Sequence, residues 1–521
     1  METYDILIRG AEVCDGEHGS FSADVGIRDG LIAEIGSLTG ASAGEAVDGK
    51  GLCLLPGFID VHTHTDLVRL IKPEREEALL QGVTTEITGA CGIGCYPLLP
   101  TDAEYIESVA GLYGVHGEKF CFPGAAAYLD ALDPCGVNTA IQVSHSPIRQ
   151  RVCGFSDRPM TGKERDTARA LLREAFEAGA CALSTGLAYY PASFGDTGEA
   201  AMLASVAAEY DAPFTVHRRT ALREWEKSFD NVEEVLDIAH RTGVKAVFSH
   251  HRTNYTNYGR PELVTEPVLR GRREGLNVTA DFYPYPVGCG YIPVKLPMWV
   301  MDGGFAAIIR HLEDRETASR IAAELDAVPG IEDGQIVHAP KTPELVGLGY
   351  EAAAERLRMT VGEMIVWLLR ENRLEAAYIP LRRNVPDEVF ENDFAELLRN
   401  GYFVGGSDAL PMLTLRHPRV TGTFPKLLRI AREHGIGMDT MANRLAALPA
   451  ELYHLPKRGK IQVGYAADLV LFDKKTVRET SSFEAPEKKP QGIRRVIVNG
   501  KTAVNDGETT GVLAGIALRR G

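Results

Sequence analysis

The chain has 521 residues, 45% of them hydrophobic and 24% charged, which suits one large α/β domain with a smaller companion. A formal net charge of −15 argues against nucleic acid and anionic membrane as partners, and an anionic substrate would need positive charge supplied locally. The nine cysteines are odd in number and scattered from Cys14 to Cys289, which is not a secreted disulfide framework. The start, METYDILIRGAEV, lacks a basic segment leading into a long apolar run, and no stretch of about 18 apolar residues is present to span a membrane. These features point to a reducing cytoplasm, where a cysteine is free to bind metal.

From the first residue, YDILIRGAEVCDG and ADVGIRDGLIAEIG read as β-hairpins, short alternating runs broken by Gly and Asp-Gly turns. The far end reads the same way in GKIQVGYAADLVLFD and IRRVIVNGKTAVNDG, so residues 1–55 and 441–521 are expected to build one small β-sandwich from both termini. Between them, residues 56–440 alternate. Eight short apolar runs recur, at 52–64, 84–92, 139–145, 181–186, 213–218, 246–251, 277–284 and 402–408, with helical patterns between several of them, such as 163–180 and 228–243. Strand and helix alternating eight times implies a (β/α)8 barrel of the TIM type. More than 110 residues separate the seventh and eighth runs, so an inserted lid subdomain is expected at about 287–345.

The chemically interesting side chains fall at the C-terminal ends of those runs, the edge where barrel enzymes carry their sites. Six of the fourteen histidines lie there. His62 and His64, in GFIDVHTHTD, stand at i and i+2 on a strand and so point to one side. His217 and His250 end the fifth and sixth runs and face that pair across a barrel; alternation lets only one of His250 and His251 face the axis, and His250 is the choice. Cys91, in TGACGIGCYP, is either a buried small hydrophobe or a thiolate ligand of zinc, with Cys95 as an alternative further past the strand. Asp408 ends the eighth run in VGGSDAL, where a carboxylate beside a metal-activated water can take its proton and pass it on. His145 reads as a hydrogen-bond partner of the site and not as a ligand.

With PGFIDVHTH, GVTTEITGACGI, VSHSPIR, STGLAYYPASFGDTGE, SHHR, DFYPY, GSDA, HPR, GTFPKLL and RGKIQVGYAADLVLFD in this order, the sequence resembles the amidohydrolase superfamily, and within it the N-acyl-D-amino-acid deacylases, or D-aminoacylases. The match runs from residue 56 nearly to the C-terminus. Much of the superfamily carries a lysine at the end of strand four; here that run ends CALSTG, and Cys91 matches the strand-two cysteine of the narrower branch.

The resemblance implies hydrolysis of N-acyl-D-amino acids, small-molecule substrates, with a tight zinc at Cys91, His217 and His250. His62 and His64 would make a second, weaker site sharing Cys91, and Asp408 would be general base and then general acid. Arg419 matches the arginine that clamps the substrate α-carboxylate, for which a guanidinium fork is the right group; Tyr189 and Tyr283 match tyrosines that help hold it. Arg252 stands where relatives often have lysine, and Cys289 where serine is common. Arg252 and Lys295 could pair with an acidic side chain or be screened lid residues. The rival readings are a dipeptidase or cyclic amidase of the same superfamily, the latter disfavoured by the missing lysine, and a non-catalytic barrel relative, which would have lost ligands that this chain keeps. Homo-oligomerisation is left open.

Overall fold

A computed structural model describes residues 3–219, 231–254, 257–381 and 386–521. Strands from both ends of the chain share one nine-stranded sheet. Thr3–Cys14 pairs antiparallel with Ser20–Arg28, which pairs with Leu31–Gly36, and Cys53–Pro56 joins this group to Leu469–Phe472, Ile493–Val498 and Lys501–Asn505. The tight turns fall at Asp29-Gly30 and Asn499-Gly500, where both residues have positive φ, the backbone a two-residue hairpin needs. Alternate residues of these strands, among them Ile6, Ile8, Val25, Ile27, Leu469 and Leu471, form a core separate from that of the barrel.

The eight apolar runs of the middle are eight parallel strands: Phe58–Asp60, Val83–Thr88, Asn138–Ser144, Ala182–Gly186, Phe214–His217, Ala246–Phe248, Val278–Phe282 and Phe403–Gly405, each hydrogen-bonded to the next. They are buried along almost their whole length, as strands covered on both faces must be. The seam between the eighth strand and the first is closed by the site residues themselves. Asp408 N–H donates to His62 O at 2.7 Å and His64 N–H to Ala409 O at 3.1 Å.

The helices outside the barrel follow their sequence signals. In Gly162–Ala178, Thr161 and Glu164 form a reciprocal capping box at the start, a contribution of about 1 kcal/mol, and Gly179 at φ 114° ends the helix. Its buried residues Ala168, Leu172, Ala175 and Phe176 recur at i, i+4, i+7 and i+8, one stripe turned into the hydrophobic core. Asn231–Thr242 occupies the described part of the 228–243 pattern; residues 228–230 lie outside the described residues.

The segment between the seventh and eighth strands carries a three-stranded sheet of Gly290–Tyr291, Ala377–Ile379 and Gln335–His338, with helices Gly304–Glu313, Arg315–Asp326, Tyr350–Leu357 and Val361–Glu371 around it. It therefore extends to Ile379, past the expected end near residue 345, because its last strand returns to pair with its first. Among the described residues no helix is long and apolar enough to cross a membrane.

Candidate active site and metal centre

Five of the strand ends deliver donors to one point. Cys91 is the hub. Its Sγ lies 3.3 Å from His62 Nε2, 3.4 Å from His217 Nδ1 and 3.7 Å from His250 Nε2, and the last two nitrogens are 2.7 Å apart. A second triad adjoins the first: His64 Nε2 is 3.2 Å and His62 Nε2 3.7 Å from Asp408 Oδ1. Both His62, Cys91, His250 and His62, His64, Asp408 have one donor atom each within 4.8 Å of the others.

Local backbone shape brings the hub into place. After the second strand the chain turns sharply and lies on the end of the fourth, so close that a Cβ on Gly186 would stand 2.0 Å from Cys91 O and one on Gly92 2.4 Å from Gly186 N. Only glycine fits either position. Cys91, His250 and Asp408 hold φ of 54°, 37° and 52°, left-handed conformations that non-glycine residues adopt at a cost and that cluster at functional sites.

The electrostatics fit a cation. Burial alone would push the Cys91 thiol up, but the imidazoles of His62 and His217 outweigh it and hold the thiol well below its ordinary range. Burial would lower both His62 and His64; Asp281 and Cys91 instead raise His62 well above its ordinary value, and Asp408 and Cys91 bring His64 to about 9. Such protons on imidazoles beside a thiolate are those that a divalent ion displaces on binding. Sulfur and imidazole donors in this number suit zinc. The donor set therefore fits the ion that the sequence implies.

Asp408 is 7% exposed, and its Oδ2 accepts from Arg419 Nη1 at 2.7 Å. Burial opposes ionisation of Asp408, yet the Arg419 charge and the hydrogen bond from His64 hold its carboxyl well below the usual carboxylate range. Arg419 opens the helix Arg419–Glu433 and is fully buried. Its guanidinium lies 4.8 Å from the Tyr283 ring centroid, Nη2 reaches Cys289 O only at 3.5 Å, and Nε has no hydrogen-bond partner among the described residues. Tyr189 packs its ring on His217 at 4.5 Å between centroids.

The two remaining cations are already engaged. Arg252 donates to Thr253 O and Pro286 O at 3.0 Å and to the Tyr283 hydroxyl at 2.9 Å, and stacks 4.4 Å from that ring. Lys295 Nζ lies 4.3 Å from the Tyr378 ring centroid and 5.7 Å from that of Tyr350. His251 turns away from the cluster to Val264 O, and Cys95 is buried in the core with its thiol pushed well up by burial. His145 bonds Thr185 Oγ1 at 2.8 Å and Glu199 Oε1 at 2.9 Å, touching the fourth strand but none of the donors.

One functional carboxylate had no role in the sequence reading. Asp281 accepts from His62 Nδ1 at 3.1 Å and from the His250 amide at 2.7 Å, fixing the ring of one donor and the backbone of another. Its position at the end of the seventh run, in DFYPY, was the available signal. Asp60 does similar work at the seam, accepting from Ser407 N–H at 2.8 Å and His62 N–H at 3.2 Å.

A closed barrel whose strand ends gather sulfur, imidazole and carboxylate donors around one buried point is the construction of a metal-dependent hydrolase. The family described as "Amidohydrolase family" matches residues 45–251 and 296–504. The sequence is 32% identical over 529 residues to the D-aminoacylase of Alcaligenes xylosoxydans xylosoxydans, covering 100% of this chain and 98% of that protein. It is 31% identical over 506 residues to the N-acyl-D-glutamate deacylase of the same organism, covering 96% and 93%. The crystal structure of the N-acyl-D-glutamate deacylase of Bordetella bronchiseptica, complexed with zinc and a phosphonate inhibitor, superposes with a TM-score of 0.81 at 30% identity, covering 99% of this chain and 100% of that one. This chain belongs to the amidohydrolase family.

Proposed function

We propose that the protein hydrolyses N-acyl-D-amino acids to a carboxylate and a free D-amino acid. In this reading Cys91, His217 and His250 hold a tight zinc, and His62 and His64 hold a weaker second ion that shares Cys91. The observation that carries the reading is the meeting of the two triads at His62, with Cys91 beside it on the first, Asp408 on the second and Arg419 bonded to Asp408. Zinc bound there supplies a Lewis acid for the amide carbonyl and a water reactive at neutral pH.

The chain's own groups do the rest. Asp408 Oδ1, facing the histidines, takes the proton of the attacking water and returns it to the leaving amine nitrogen. Arg419 takes the α-carboxylate on donors that the protein leaves weakly used, Nη2 and Nε. Tyr283 supports that guanidinium from its ring face, and Arg252 holds the Tyr283 hydroxyl. Tyr189 walls the site beside His217. With the carboxylate fixed at Arg419 and the amide at Cys91, only one hand of the α-carbon aims its side chain correctly; that the hand is D rests on the relatives. We place the protein in the cytoplasm, a reading supported by all nine cysteines being unpaired.

The test is amine release by the zinc-loaded protein from N-acetyl-D-leucine and N-acetyl-L-leucine. Release from the D substrate alone is expected. Release from the L substrate alone contradicts the reading, as does release from neither of these and from no acidic N-acetyl-D-amino acid.

A further inference from the structure

A cavity of about 310 Å³ opens directly beside the donor cluster, lined by Tyr189, His217, Cys289, Val294, Tyr378 and Pro380. That is the small end of ligand pockets, room for one substituent and not for a polymer. We infer that this cavity receives the substrate's amino-acid side chain and selects an uncharged, apolar one. The inference rests on the deacylase reading and deepens it.

Position argues for the side chain. One wall is His217, at the metal donors. Another is the loop Gly288–Gly290, whose Cys289 carbonyl faces Arg419 Nη2 and whose Gly288 lies against the Tyr283 hydroxyl. The cavity therefore spans from the amide end to the carboxylate end of a bound substrate. The α-carbon joins those two ends, and the substituent on that carbon is the group that meets the cavity.

Chemistry argues for an apolar one. Among the described residues that line the cavity, none carries a permanent charge. Burial pushes the Cys289 thiol up to about 12, so it stays neutral. Arg252 and Lys295, described cations of the surrounding loops, are already engaged, and neither lines the cavity. Arg252 is bonded to two carbonyls and a tyrosine hydroxyl, and Lys295 rests on the faces of Tyr378 and Tyr350. A side-chain carboxylate entering here would lose water without meeting a cation among the described lining residues, the costly case for burial of a charge. A leucine, methionine or phenylalanine side chain instead gains roughly fourfold in affinity for each methylene it buries. Tyr378 and Val294 are thus the specificity-determining residues, contributed by the segment inserted before the eighth strand.

The experiment measures kcat/KM of the zinc-loaded full chain on the N-acetyl derivatives of D-leucine, D-methionine, D-phenylalanine, D-glutamate and D-aspartate. The apolar substrates are expected to exceed the acidic ones by roughly 100-fold. Acidic substrates cleaved as well or better would overturn the inference and leave the deacylase reading standing; no cleavage of any would remove both. In a second arm, Val294→Arg adds a cation to the wall and is expected to raise the glutamate-to-leucine ratio at least about tenfold. An unchanged ratio in a variant that still binds zinc, or a shift in preference between N-acetyl- and N-hexanoyl-D-leucine in its place, would assign the cavity to another group. Should that variant fail to fold, the panel on the unaltered protein decides alone.

Discussion

Arg419 and Asp408 are bonded to each other, Nη1 to Oδ2 at 2.7 Å, so the cation expected to hold the substrate carboxylate also holds the expected general base. Lysine at this position keeps the charge and loses the fork. Arg419→Lys is therefore expected to raise KM roughly 10- to 100-fold, the worth of one hydrogen bond to a charged group, with a smaller change in kcat. Steady-state kinetics on an N-acyl-D-amino acid check this. An unchanged KM would remove Arg419 from the carboxylate site.

Cys91 lies beside His217, His250 and His62, and His62 also belongs to the triad with His64 and Asp408, so the loss of Cys91 is expected to weaken metal binding at both. Cys91→Ala, dialysed against a mild chelator and then assayed by atomic emission, should hold little zinc where the unaltered protein retains about one ion. Thiolate is a principal source of zinc affinity in such sites. Full zinc retention would show that the histidines suffice.

Asp281 touches no substrate in this account and acts through the donors it orients, His62 and the His250 backbone. Asp281→Asn keeps the shape and loses the charge that fixes the imidazole. Zinc affinity is expected to fall about 10- to 100-fold, measured by competition with a chromophoric chelator. Activity restored by excess zinc would separate this positioning role from a catalytic one.

The eight strands were legible because each is a short apolar run, buried on both faces and ending in polar residues at the mouth. The His62 and His64 pair, Cys91 and Asp408 were legible for the same reason, as reactive residues at strand ends. The role of Asp281 was not, because its contact with His62 spans 219 residues and exists only once the barrel closes. The positive φ of Cys91, His250 and Asp408 had no local signal, since none of the three is a glycine. The sheet of the inserted segment was hidden by length. Its strands have two, four and three residues, too short for alternation to be recognised.

Glu199 lies fully buried between Arg149, which it bonds at 2.6 and 2.7 Å, and His145, which carries the contact on to Thr185 beside the site. Removing one partner from a buried ion group costs about 3–5 kcal/mol, and Glu199→Gln is expected to lose that much stability at neutral pH. Burial opposes its ionisation, but His145 and Arg149 outweigh this and lower its carboxyl to about 2. A depressed carboxyl stabilises the fold above its unfolded value, near 4.5, and that gain fades as pH falls toward 2. Denaturant midpoints of the two proteins should therefore converge over that acid range. A constant difference down to pH 3 would contradict the assignment.

In the proposed reaction Asp408 moves the proton beside a zinc held by Cys91, His217 and His250. Asp408→Asn tests it most directly, with zinc content and amine release from N-acetyl-D-leucine measured on one preparation. A tight zinc at the level of the unaltered protein is expected, with turnover lower by about 100- to 10,000-fold. Turnover within tenfold of the unaltered protein, with zinc bound, would contradict it.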